Sequence, residues 1–385
     1  NYTLAAEHVV RPSALLAGAA TLLTELAAAR GVAVPAPLDR VVAAHAGSDA
    51  ALAATARRLA GAGRLVVITG LGIEQHPLRG VLMQVAEAIA TLAGGRHGSM
   101  SSGGNAAGAW LAGMVPHRGP AGRAIETPGR ALDGMLDASL KAYLLLGFDP
   151  ALDCAEAHRL RAALARAECV VALSGFASSA LEEVADIILP IAVHGENEGT
   201  LVNLNGLWQS FDPAVRPRGE ARPAWKILRM LGSRFGLPGF EAVKVGDITR
   251  EIADLAGAAK SAGRATPTLD ASRLAVAADG IEVIVEVPMY RCDALVRHAV
   301  ALQKMPQAGD DDVRVAAVTA SALGLADATP VTLAAGGVQA GARLVIDDSV
   351  PEGACVIAGA RGALADLAVH GGALELARAS GDAAA

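Results

Sequence analysis

ADIILPIAVHGENEGTLVNLNGLWQSFDPAVRPRGEARPAWKILRML, Ala185 to Leu231, is the stretch that decides the fold. An apolar run (Ile187, Ile188, Leu189) reads as a buried strand stopping at Pro190, which has no N–H to give a ladder. A polar loop follows with Glu196, Gly199, Thr200, Asn203, Gly206 and Gln209. Its glycines free the backbone, and its asparagines can fold onto nearby backbone groups. Pro223 then suits the first turn of a helix, with Glu220 near its positive end. Trp225, Leu228 and Leu231 fall at three-residue spacing on one face of that helix. Taken alone, this is a well-made connection between a strand and a helix. It is also the kind of place, at the carboxyl end of a sheet strand, where α/β folds hold ligands.

The order E-x-x-G-T-x-x-N-x-x-G-x-x-Q at 196–209 is followed by G-E-A-R-P-A-W-K-I-L-R at 219–229. Together they resemble the molybdopterin-oxidoreductase-like region of the large peripheral-arm subunit of NADH-quinone oxidoreductase, respiratory complex I. Leu207 stands where relatives commonly carry Arg, which takes a cation away from the loop.

Upstream, strand and helix patterns alternate from Leu65. LVVITG, AYLLLGFDP, CVVALSG and DIILP read as strands, separated by helices such as GVLMQVAEAIATLAG and CAEAHRLRAALARAE. Short connections between such elements mean a parallel sheet with crossover helices. Residues 1–60 are an Ala-rich helical lead-in, with Ser13 placed to cap an amphipathic helix. Residues 238–272 read as a connection around one helix-like piece, DITREIADLAGAAKSAG. Residues 273–385 hold short strands (IEVIVEV, VRVAAV, PVTLA, ARLVID, ACVIAG, ALELA) and one helical insert, ASALGL. This last part resembles the molybdopterin-dinucleotide-binding β-barrel of double-psi type. Ala328-Thr329 stands where relatives usually carry Gly-Asp, and P-M-Y-R-C-D-A-L-V-R-H-A at 288–299 also matches complex I relatives. The expected fold is therefore α/β: a Rossmann-like parallel-sheet domain of the molybdopterin oxidoreductase type over 1–237, then a β-barrel domain over 273–385.

Composition sets limits. The chain has 385 residues, 52% hydrophobic, enough for two or three domains with sizeable cores. Aromatics are only 3%, so packing leans on Ala, Val and Leu. A net charge of −6 gives no electrostatic case for nucleic acid or an anionic membrane surface. No uninterrupted apolar run of 18 residues exists, so no membrane span is expected. The first residues read as the middle of a domain, and the chain as a portion of a longer protein. Cys154, Cys169, Cys292 and Cys355 are scattered singly, without the pairs two to four residues apart that announce iron–sulfur or zinc sites. The nine histidines are equally dispersed. No metal ligand and no catalytic residue is expected.

Two runs could line a ligand. T-G-L-G-I-E-Q-H-P at 69–77 lacks the G-x-G-x-x-G spacing and reads as a tight turn. G-G-R-H-G-S-M-S-S-G-G-N-A-A-G at 94–108 looks more like a cradle, since small residues let backbone N–H groups face an anion. Ser101, Gly103, Asn105, Glu196, Thr200 and Asn203 are the candidates for a vestigial pocket. His194 with Glu196 is a conceivable acid–base pair, but it lacks a nucleophile or metal to serve. Arg222 and Lys226 beside Trp225 read equally as an interface anchor or as local packing.

The resemblance implies a scaffold portion of the complex I subunit, holding no cofactor itself, with [2Fe-2S] and [4Fe-4S] clusters in an upstream part. It implies other peripheral-arm subunits as partners and a place on the cytoplasmic face of the bacterial inner membrane. The alternative is the C-terminal portion of an active molybdopterin-guanine-dinucleotide oxidoreductase, such as a formate dehydrogenase-like enzyme.

Overall fold

The computed structural model describes residues 3–258 and 280–379. Its contacts divide the chain into two units, which do not follow the consecutive division expected at 237 and 273. The first takes the described residues of Asn1–Ser101, Thr266–Cys292 and Ala301–Ala385, and the second those of Ser102–Ala265 and Asp293–Val300. The helical lead-in thus groups with the barrel. The reason is visible at Ser13, which does not cap the helix that follows it. Its N–H and hydroxyl both donate to the buried carboxylate of Glu282 on a barrel strand.

In the first unit, α1 (Leu15–Arg30), α2 (Leu38–His45) and α3 (Ala50–Ala60) lead to β1 (Val66–Thr69). A short α4 (Leu71–Glu74) and a longer α5 (Arg79–Leu92) then lead to β2 (Arg96–Ser99). Leu16, Leu23 and Leu26 of α1 pack with Val41, Ala56, Leu82, Val85 and Ile89 in one apolar core. The 19-residue helical segment Pro12–Arg30 is long and apolar enough to cross a membrane by length and composition, which the criterion of an uninterrupted run overlooks. Here its leucines fill that core. Strand β2 is not expected from the sequence, because Arg-His-Gly-Ser has no strand propensity; parallel pairing with β1 overrides it. Gly95 makes the approach possible, since a Cβ there would lie 2.5 Å from the Leu65 carbonyl oxygen. Val66 and Ile68, expected in a buried strand, are both 63% exposed, because the helices cover only the Leu65 and Val67 face.

The second unit opens with α6 (Ala106–Leu111) and α7 (Leu132–Leu136). β3 (Ala142–Leu146), α8 (Ala157–Ala165), β4 (Cys169–Ser174), α9 (Ser179–Val184) and β5 (Ile187–Pro190) follow in the alternation read from sequence. The three strands pair in parallel in the order β3-β4-β5. Leu145, Val170 and Ala172 pack with Leu160 and Leu164 of α8 and Leu181 of α9. The polar loop is not irregular throughout: β6 (Gly199–Val202) and β7 (Trp208–Phe211) pair antiparallel within it. Helix α10 (Ala224–Arg234) starts directly after Pro223. It buries Ile227 fully and the Trp225–Leu228–Leu231 stripe only partly. Helix α11 (Val245–Ala258) occupies part of the expected connection, whose residues 259–272 lie outside the described residues. A short helix, α12 (Ala294–Arg297), completes the unit.

Returning to the first unit, β8 (Ile281–Glu286), β9 (Asp312–Val315), β10 (Pro330–Ala335), β11 (Val338–Ile346), β12 (Ala354–Ala358) and β13 (Ala373–Arg378) form a closed barrel. The order is β10-β11-β9-β12-β8-β13, with parallel and antiparallel pairs mixed. The expected helical insert is α13 (Ala317–Ala322). The β10–β11 hairpin turns through Gly336 and Gly337, both at positive φ, as a two-residue hairpin loop demands. Val283, Val313, Val315, Leu333, Leu344, Ile357 and Leu376 fill the interior. Closure leaves no open sheet edge.

Candidate functional site

In the second unit the carboxyl ends of β3, β4 and β5 open onto a cleft of about 440 Å³. Each strand feeds it with a turn: Gly147-Phe148-Asp149 after β3, Gly175-Phe176 after β4, and Ile191 to His194 after β5. Asp149 builds the first turn, its carboxylate accepting the N–H groups of Ala151 and Leu152 at 2.9 and 3.2 Å. Its own N–H donates to Asp153 at 2.8 Å. From α12, Arg297, with its side chain 6% exposed, donates to the other oxygen of Asp153 at 2.8 Å. His298 stacks on Phe176 with centroids 4.3 Å apart and planes 6° from parallel. Leu152, Leu181 and Ile191 supply the apolar lining.

In the cleft Arg297 and Asp153 neutralise each other. Among the described residues no three His, Cys, Asp or Glu side chains gather as a metal site. Cys154, buried close by, has its thiol pushed up chiefly by desolvation, which makes it a poor thiolate donor. The cleft is not legible in the sequence because its walls come from residues 147–194 and 293–298 together. The signal that could have found it is the Gly-containing turn after each of two successive strands.

Most of the candidate cradle residues serve their own backbone. Asn105 accepts the N–H of buried Val202 at 2.8 Å, tying the 94–108 run to β6. Gly108 leaves room for that amide, since a Cβ there would lie 2.1 Å from the Asn105 oxygen. Glu196 accepts the Val193 N–H at 3.1 Å and closes its turn. Thr200 bonds Ser210 across the hairpin at 3.0 Å and Thr249 of α11 at 3.1 Å. Asn203 accepts from Asn205 and Leu207, both at 3.0 Å, in an Asx turn. Gly103 is exposed, with φ +80°. His194 packs against Phe211 at 5.4 Å rather than pairing with Glu196. Lys226 lies over the Trp225 ring at 5.3 Å, a local cation–π contact. Ser101 is the exception, its buried hydroxyl lacking a hydrogen-bond partner.

A pterin cofactor, which the sequence resemblance raises, needs donors and acceptors left over for it. Asn105, Glu196 and Asn203 each commit one side-chain oxygen to backbone N–H groups of the chain, Thr200 bonds two hydroxyls, and the space beside Gly108 is filled by Asn105. In this arrangement those oxygens are turned to the chain's own loops.

The comparisons with known proteins place the chain. A family model described as "Molybdopterin oxidoreductase" matches residues 13–234. NADPH-Fe(3+) oxidoreductase subunit alpha of Geobacter sulfurreducens is 33% identical over 141 residues, 36% of this chain and 16% of the relative. Formate dehydrogenase H of Escherichia coli is 32% identical over 116 residues, 30% of this chain and 16% of the relative. A NADH-quinone oxidoreductase subunit of Mycobacterium tuberculosis is 32% identical over 126 residues, 30% of this chain and 15% of the relative. The matched stretches therefore span a small part of these relatives, and near-equal identities do not separate the complex I subunit from the formate dehydrogenases. Acetylene hydratase from Pelobacter acetylenicus shares the fold at TM-score 0.56 and 14% identity, over 91% of this chain and 63% of that one. On the match to residues 13–234, the chain belongs to the molybdopterin oxidoreductase family.

Proposed function

We propose that this chain is a scaffold portion of the large peripheral-arm subunit of a bacterial NADH-quinone oxidoreductase. It would contribute contact surface to an electron-transferring complex on the cytoplasmic face of the inner membrane while holding no cofactor of its own. The observation that carries this is a cradle turned inward: a side-chain oxygen of each of Asn105, Glu196, Thr200 and Asn203 closes the chain's own loops. The exposed apolar residues Val66 and Ile68, and Leu144, Leu146 and Ile187, suit a protein that packs against further polypeptide. The family resemblance at 219–229 supports that choice of complex, and the clusters it implies would be held by other segments or subunits.

A second reading, part of an active molybdopterin enzyme such as a formate dehydrogenase, is favoured by one observation, the unpartnered hydroxyl of Ser101. Purifying the tagged chain from its host membranes separates the two. Co-purification with flavin, iron–sulfur clusters and NADH:quinone activity, with molybdenum well below one per chain, is the expected result. Stoichiometric molybdenum with extractable pterin and formate-dependent dye reduction would overturn the scaffold reading.

A further inference from the structure

We propose that the C-terminal end of α10 and the loop after it form a docking surface for an anionic lipid bilayer. Phe235 and Leu237 enter the bilayer interface, and Arg229, Arg234 and Lys244 meet its headgroups. On α10, Lys226, Met230 and Arg234 recur at four-residue spacing, so they share one face, and all three are exposed. Ile227, buried, and Leu231, half-buried, anchor the helix to its own unit. Past the helix the chain is exposed at every residue from Ser233 to Gly239. Within this tip Phe235 is 75% exposed, and Leu237 stands open two residues on. Gly236 and Gly239, at φ +66° and +86°, turn the chain there.

The returning loop is fixed against α10. Phe240 packs so closely that a Cβ on Gly232 would lie 2.2 Å from its ring, and Arg229 donates to the Ala242 carbonyl at 3.2 Å. The second contact sets Val243, 78% exposed, and Lys244 beside the α10 face.

This apolar tip stands in a local excess of positive charge. From Arg216 to Lys244 the chain carries seven Arg or Lys against two Glu, although its whole net charge is −6. Lys226 lies 4.0 Å from Glu198, and Arg250 of α11 lies 3.7 Å from Asp247. Among the described residues, Arg229, Arg234 and Lys244 have no carboxylate partner. Glu241, the one acidic residue of the loop, accepts the Gly239 N–H at 3.3 Å.

An anionic bilayer is complementary to that combination. Apolar side chains leave water for the acyl boundary while neighbouring cations stay among the headgroups. Lipid closes around a side chain standing out on a tip, whereas a protein partner must offer it a shaped pocket. Gly236, Pro238 and Gly239 also bring no side-chain donor or acceptor to specify such a pocket. A second copy docked on the same face would set Arg229, Arg234 and Lys244 against their own counterparts. The proposal rests on the second unit's own residues and stands apart from the complex I reading.

Co-sedimentation of the full chain with vesicles tests it. Vesicles of equal phosphatidylcholine and phosphatidylglycerol should bind the chain in about 0.05 M salt and release most of it in about 0.5 M. Phosphatidylcholine alone should bind it at least about tenfold more weakly. Arg234→Ser and Lys244→Ser should each weaken partition about fivefold. Phe235→Ser, at an exposed position that the fold does not use, should weaken it by at least about tenfold. With Phe235→Trp as a reporter, brominated lipid should quench emission that the wild-type chain lacks. No binding to the anionic vesicles, equal binding to neutral ones, or a reporter that lipid does not quench overturns the proposal. Self-association abolished by Phe235→Ser, without vesicle binding, would assign the tip to a second copy and overturn it as well.

Discussion

Ala328 sits at φ +60°, in the left-handed region, with its N–H donating to the Leu344 carbonyl of β11 at 2.9 Å. A Cβ makes this conformation cost roughly 1–2 kcal/mol, which Gly avoids. Gly gives back about 0.4–1 kcal/mol through the freer unfolded chain. Ala328→Gly should therefore stabilise the first unit by roughly 0.5–1 kcal/mol, seen as a higher urea midpoint. Gly324, at φ +65° with open space around it, is the counterpart, and Gly324→Ala should lower the midpoint. The resemblance to the dinucleotide-binding barrel implies Gly at the Ala328 position, so the place is legible in the sequence although the strain is not. The candidate cradle shows the converse. Asn105, Glu196 and Asn203 are residue types able to face a ligand. A sequence does not record that Val202, Val193 and Leu207 offer them backbone N–H groups first.

At the scale of elements, the strand–helix alternation from Leu65 to Pro190 is readable because apolar runs and turn residues mark it directly. What the runs do not reveal is how many faces are covered. LVVITG and AYLLLG have the near-continuous apolar character of strands buried on both sides, yet β3 alternates: Leu145 is 9% exposed and Leu144 is 51% exposed. Helices α8 and α9 cover the Leu145 face. Neighbouring substitutions should therefore differ sharply. Leu145→Ala removes buried methyl groups and should cost about 2–4 kcal/mol. Leu144→Ala should stay within about 0.5 kcal/mol. Denaturant melts of the two variants check this, and equal costs would mean that the Leu144 face is covered in solution. β2 and the β6–β7 hairpin escape such a reading for the opposite reason. RHGS and the loop around Asn203 lack strand character of their own, and pairing with a partner strand makes them strands.

For the whole molecule, the sequence suggests two consecutive domains, and the contacts form two units that interleave along the chain. Texture along a sequence cannot show that Ser13 will find Glu282, a contact made across 269 positions. Each unit nevertheless has its own apolar core, and each core contains a buried cysteine. Cys154 lies with Leu160 and Leu164 in the second unit, and Cys355 lies inside the barrel with Val315 and Ile357. Burial pushes the Cys355 thiol up to about 12, which near neutral pH leaves about a thousandfold less thiolate than an ordinary cysteine. Cys292 is exposed and Cys169 half-buried, so a thiol reagent should modify Cys292 first and Cys169 next in the native chain. Cys154 and Cys355 should wait for unfolding, and so report on the two units separately. The second unit has the smaller core and the open Leu144 and Ile187 face, whereas the first is closed as a barrel and clasped at Ser13. Pulsed alkylation across a urea series, read by peptide mass, should thus label Cys154 at lower urea than Cys355. A single shared midpoint would show the units unfolding as one cooperative body, and earlier labelling of Cys355 would reverse their order of stability.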